Sequence, residues 1–175
     1  MNRKEGGGMK RIACMALALA VVVSGIAFAA ETNKLMDIRN KILVESQEVR
    51  SLLTKTKDVI LVNSLWDSCV MAISQLDAYF SQLGIFNTIK KGEVTDTAIG
   101  FLVNWLSQIK RTNDLNIQSL SSVTQKVEAK TKLSVEKLKG YYAELNKQLD
   151  EELAKLAVLK SALMVKPLPV PTKKK

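Results

Sequence analysis

The carboxylates that would have to share acid/base work are few, and their spacing separates them. Asp67 and Asp77 lie ten residues apart on one apolar stretch, about 15 Å by helical rise and too far for direct proton exchange. Asp150, Glu151 and Glu152 are consecutive, so a helix points them in different directions. Ser134-Val-Glu-Lys137 has the spacing of a Ser-Lys nucleophile, but it sits within a charged, solvated face, and helix capping accounts for Ser134 equally well. The chain has no histidine and two cysteines, Cys14 and Cys69. Absence of histidine excludes His-dependent serine and cysteine triads, haem attachment through Cys-x-x-Cys-His, Glu-x-x-His di-iron sites and His-containing zinc sites. No catalytic residue, metal ligand or cofactor is assigned, and the chain is expected to bind rather than to catalyse.

The elements that would position these residues read as helices. Between Ala30 and Lys166 there is no proline, and the only glycines are Gly84, Gly92, Gly100 and Gly140. Apolar residues recur at three and four: Leu35, Ile38, Ile42, Val49 and Leu52, then Val62, Leu65, Cys69, Ile73, Leu76, Phe80 and Leu83. The stretch from Gly84 to Asp96 interrupts the period and predicts a turn, with Thr95 or Asp96 as the next N-cap. Weaker breaks fall at Thr54 to Asp58 and in the polar segment from Arg111 to Ser122. The expected fold is all-α, a four-helix bundle with an elongated C-terminal helix; a long helical hairpin or coiled coil is the alternative.

Charge divides the helices. Between Lys57 and Lys90 only Asp58, Asp67 and Asp77 are charged, and Thr97 to Ile109 carries no charge. Lys126 to Lys160 is charge-dense, with Glu128/Lys132 and Glu151/Lys155 at supportive i,i+4 spacing and a narrow seam of Leu138, Tyr142, Leu145, Leu149, Leu153, Leu156 and Leu163. The second and third helices are therefore expected at the centre and the last at the periphery. Gly140 and the acidic run at 150–152 are expected to interrupt a strict heptad in that seam.

The second helix carries more apolar surface than one stripe buries. Its residues Trp66 and Phe80, with Phe101 and Trp105 of the third, are the candidate apolar ligand or partner surface. Cys69, on the same apolar stretch, reads as a small buried hydrophobe.

The two ends carry most of the charge. Met9 to Ala30 has a basic start at Lys10 and Arg11, an apolar stretch from Ile12 to Val23, and small residues at Ala27 and Ala29, the layout of a secretory signal cleaved after Ala29. Cys14 stands at the front of the apolar stretch and not at the cleavage point, so lipoprotein processing is not expected. Residues 1–8 precede this signal, and Lys4-Glu5-Gly6-Gly7 can be encoded by a ribosome-binding-like stretch, so translation is expected from Met9. Removing residues 1–29 takes four cations and one acid, lowering the net charge from +9 to +6. Lys166, Lys173, Lys174 and Lys175 hold most of the remainder, leaving the body near +2. Nucleic acid is not an expected partner, because such proteins concentrate base on a folded face.

Prolines alternate in Lys166-Pro-Leu-Pro-Val-Pro-Thr-Lys-Lys-Lys175, which predicts an extended tail over 165–175 with Lys173, Lys174 and Lys175 as candidate contacts to an anionic surface. The organisation expected is thus a signal over 1–29, a helical domain over 30–164 and a basic tail. The function expected is an exported binding or scaffold protein of the bacterial cell envelope, periplasmic or extracellular. Its expected partners are an envelope protein or lipid, or a second copy, with no transmembrane helix after cleavage. The alternative is a chaperone-like or lipid-binding protein using an aromatic-lined groove.

Overall fold

The computed structural model describes residues 33–89, 96–123 and 127–164. The signal segment with Ala27 and Ala29, and the basic tail with Lys173, Lys174 and Lys175, lie outside the described residues. The described residues form four helices: α1 over 33–52, α2 Val59–Thr88, α3 Asp96–Ser121 and α4 Ala129–Met164.

Each helix turns a seam of alternating three- and four-residue steps inward. In α1 these are Leu35, Ile38, Ile42, Glu45 and Val49; in α2 Val62, Leu65, Cys69, Ala72, Leu76, Tyr79 and Leu83. In α3 they are Ile99, Leu102, Leu106, Ile109 and Asn113, with Leu120 beyond; in α4 Thr131, Val135, Leu138, Tyr142, Leu145, Leu149, Glu152 and Leu156. Such spacing places side chains of neighbouring helices knobs-into-holes at small crossing angles, and each fully buried leucine contributes about 2 kcal/mol from removal of apolar area from water.

Cross-helix contacts fix an up-down-up-down ring. Arg39 Nε and Nη2 grip Asp77 at 2.9 and 2.8 Å, pairing α1 with α2. Trp105 Nε1 donates to the Gln75 carbonyl, pairing α2 with α3. Lys110 meets Asp150 and Lys160 meets Asp96, pairing α3 with α4. Lys41 with Glu144 and Lys137 with Glu45 close the ring between α1 and α4. Helices α2 and α4 therefore run parallel across the diagonal.

Four sequence expectations change. The turn at Gly84 to Asp96 starts later, because α2 continues through Gly84 to Thr88, whose hydroxyl donates to the Ile85 carbonyl. No break falls between Arg111 and Ser121: α3 stays helical there, and its buried Asn113 is received by α4. Asn113 Nδ2 donates to the Tyr142 carbonyl at 2.6 Å and to Asn146 Oδ1 at 2.8 Å. The last helix is not peripheral, since Leu138, Tyr142, Leu145, Leu149 and Leu156 of its narrow seam are buried in the bundle core, with Leu153 and Leu163 half-buried against it. That seam is also unbroken by the acidic run: Glu152 itself occupies the seam step between Leu149 and Leu156, and Gly140 lies off it.

The break at 53–58 is present, with a particular logic. Asp58 caps no N–H of its own helix; its Oδ2 accepts instead from the Glu128 backbone N–H at 2.8 Å. Glu128 Oε2 accepts in return from the Thr56 hydroxyl at 2.9 Å. The starts of α2 and α4 are thereby tied together through the side chains of Thr56, Asp58 and Glu128.

Candidate functional site

Helix α2 buries one face and presents a second that is nearly uncharged. Ile60 is 89% exposed, and Val70, Met71 and Ile85 are also exposed. These side chains recur near the outer side of the helix, opposite Leu65, Cys69 and Leu76. Around them stand Asn63, Asp67, Ser74, Ala78 and Ser81, so the face mixes exposed apolar side chains with small and uncharged polar ones and carries one carboxylate. Helix α2 is also long and apolar enough to cross a membrane by length and composition, with no membrane present here.

The four aromatic residues expected to share a groove are only partly brought together. Phe101, 51% exposed, stacks on Trp105 with centroids 6.3 Å apart, and the Trp105 indole is held by the Gln75 carbonyl. Phe80 packs half-buried beside Tyr79 at 5.9 Å. Trp66 stands fourteen residues before Phe80 on α2, about 21 Å along the axis, with the Arg50 guanidinium over its ring at 5.8 Å. A continuous groove through all four is therefore not formed. A depression between α2 and α3, lined in part by Leu61, Leu65, Leu120 and Val123, holds only about 100 Å³, below the size of small-molecule sites.

The residues weighed for chemistry are occupied structurally. Ser134 is buried, and the Lys137 ammonium lies 3.0 Å from Glu45 Oε2. Hydrogen bonding and charge from Glu45 raise the Lys137 pKa, the reverse of what a lysine base requires. The same Ser-x-x-Lys spacing recurs at Ser107 and Lys110, where the Ser107 hydroxyl donates to the Val103 carbonyl and Lys110 pairs with Asp150. The three consecutive acids do diverge, each toward a different helix: Asp150 to Lys110 of α3, Glu151 to Lys34 of α1 at 3.8 Å, and Glu152 inward. Among the described residues no group of three His, Cys, Asp or Glu side chains is placed to hold a metal ion.

Cys69 is buried, as its apolar setting implies. Burial pushes its thiol up to about 11, against the lowering effect of the Tyr142 hydroxyl 3.9 Å away. Since the thiolate is the reacting species, a Cys14→Ser chain is expected to resist Ellman's reagent at pH 8 and to release one equivalent of chromophore only after denaturation. Rapid labelling of the folded chain would contradict this burial.

Glu152 is the residue that sequence reasoning missed. It is fully buried on α4 and faces Tyr79 of α2 across the core. Neither carboxylate oxygen nor the Tyr79 hydroxyl has a formed hydrogen bond, and Lys155 Nζ stands 3.8 Å from Oε1. Burial, then the neighbouring Glu151 charge, raises the Glu152 carboxyl to about 7, with Tyr79 pulling it down. The available signal was register: stepping three from Leu149 lands on 152. Compared with known proteins, the chain matches no protein family, no curated protein and no solved structure.

Proposed function

We propose that the protein is an exported, non-enzymatic binding or scaffold protein of the bacterial cell envelope, and that it holds an apolar helical segment of another envelope protein on the outer face of α2. The observation that carries this reading is the exposure of Ile60, Val70, Met71 and Ile85 on one helix, where a helix whose outer side meets only water carries charge. Electrostatics favours a polypeptide partner over an anionic lipid surface, because no basic residue lies between Lys57 and Lys90. Export rests on the signal-like layout of Met9 to Ala30.

The test is expression of the full chain in a bacterium with a photo-crosslinking residue at Met71, or at exposed Lys147 of α4 as a control. The expected product begins at Ala30, fractionates with the envelope and crosslinks from position 71, but not 147, to proteins carrying uncharged helical segments. Cytoplasmic retention with an intact N-terminus, or equal crosslinking from both positions, overturns the reading.

A chaperone-like or lipid-binding role has one specific observation in its favour, the exposed stack of Phe101 on Trp105. Native mass spectrometry of the purified protein separates the two, since lipid retained through Phe101→Ala counts against that site.

A further inference from the structure

Five residues of α2 fall along one line on its outer side. At about 100° per residue, Ile60, Asp67, Ser74, Ala78 and Ile85 lie within about 40° of each other around the helix, opposite the buried seam of Leu65, Cys69, Ala72 and Leu76. Asp67 is the one charge on that line. The other two acids between Lys57 and Lys90 are engaged with other elements: Asp58 accepts from the Glu128 backbone N–H and Asp77 from Arg39. Among the described residues the exposed Asp67 carboxylate has no hydrogen bond or ion pair. The two arginines of α1, the helix beside it, are occupied, Arg39 by Asp77 and Arg50 by the Trp66 ring.

Asp67 stands next to Val70 and Met71 on the exposed face, so whatever covers that face takes the carboxylate out of water. A segment uncharged throughout would bury the charge without a partner, which is costly. A second copy laid down through its own α2 brings no cation, since none lies between Lys57 and Lys90, and it adds a second carboxylate. A helix bearing one ammonium or guanidinium instead turns the same carboxylate into a charge-assisted pair shielded by the apolar side chains around it.

We propose that the occupant of the α2 face is an uncharged apolar helix bounded at one end by a lysine or arginine, and that Asp67 selects it by pairing with that cation. This selection rests on α2 being the docking face proposed above. The position of Asp67 sets the pattern of the occupant. Ile85 lies eighteen residues further along the line, or about 27 Å, so about eighteen uncharged residues follow the cation across the face. Ser74 and Ala78, in the middle of that stretch, are small enough to let two helix backbones approach closely. The pair discriminates among apolar helices more than it adds to their affinity.

The test uses the purified full chain and three soluble, dye-labelled helical peptides as long as the face. Each carries a stripe of Leu and Ala backed by Gln and Ser, and they differ only in having Lys, Gln or Glu at one end of the stripe. Fluorescence anisotropy is expected to show the Lys peptide binding about tenfold more tightly than the Gln peptide, and the Glu peptide binding most weakly. Asp67→Asn is expected to erase the Lys preference while keeping the affinity for the Gln peptide, and Asp67→Lys to shift the preference to the Glu peptide. Both substitutions are at an exposed position, and unchanged circular dichroism is expected for each. Equal binding of the three peptides by the parent chain, or a Lys preference that survives Asp67→Asn, overturns the role of Asp67 and leaves the docking face standing. Absence of binding by all three overturns the docking face together with it.

Discussion

At pH 8, Glu152→Gln is expected to melt at a higher temperature than the parent chain, and the difference is expected to vanish near pH 4.5. The native carboxyl holds its proton up to about pH 7, whereas in the unfolded chain it loses it near the ordinary glutamate value of about 4.3. Between these values the folded state binds more protons than the unfolded state. Stability therefore falls as pH rises through the window, and the penalty is complete above pH 7. A shift of this size corresponds to at most about 4 kcal/mol, or a melting difference on the order of 10 °C. Glutamine keeps the shape of the protonated acid without the buried charge, so the variant escapes the penalty at high pH. With no histidine in the chain, few other groups titrate near neutrality. Thermal melts of both proteins from pH 4.5 to 8.5 test this; a constant difference across that range shows that Glu152 does not titrate there.

The second large effect belongs to Tyr142, fully buried at the centre of α4. Its ring fills the space between α2 and α4, and its hydroxyl lies 2.9 Å from the Ser68 hydroxyl. Tyr142→Ala removes both and is expected to cost about 3–5 kcal/mol through lost burial and the cavity left behind. Tyr142→Phe keeps the ring and strands only the Ser68 and Cys69 contacts, at a cost of about 1 kcal/mol. Asn113 anchors to the Tyr142 carbonyl and not to the side chain, so this link survives both changes. Urea denaturation should give a threefold or greater ratio between the two losses. Similar losses would place the stabilisation in the hydroxyl network and not in ring packing.

Much of the fold was legible because the seam spacing is regular: Leu35 to Val49 face inward, as do Val62, Leu65, Cys69, Leu76 and Leu83, while Ala72 and Tyr79 take the seam steps that the period assigned to Ile73 and Phe80, which are half-buried. The break at 54–58 and its acid were legible as well, but not the target of Asp58. A cap that reaches Glu128, seventy residues away, leaves no local trace. The polar stretch after Arg111 misled for a related reason, since Asn113 is soluble in the core only because Tyr142 and Asn146 receive it. For the candidate surface, composition located the apolar excess on α2 but not its division between inner and outer faces. Trp66 and Phe80 share a helix, and only axial distance separates them into different environments. That Asp77 is paired by Arg39 while Asp67 is left alone on the outer face required the pairing of α1 with α2, which no residue type announces.

The acidic triplet at 150–152 bears on how this sequence can change. Within a single turn of α4, three successive carboxylates address α3, α1 and the bundle interior. One residue inserted or deleted ahead of Asp150 would rotate all three by about 100°, bringing a charge from the surface into the core and moving the buried acid out of it. Point substitutions at 150 or 151 touch one surface pair each. Length changes in the first half of α4 are therefore expected to be far more damaging than substitutions at 150 or 151, and insertions to be tolerated better in the connections between helices.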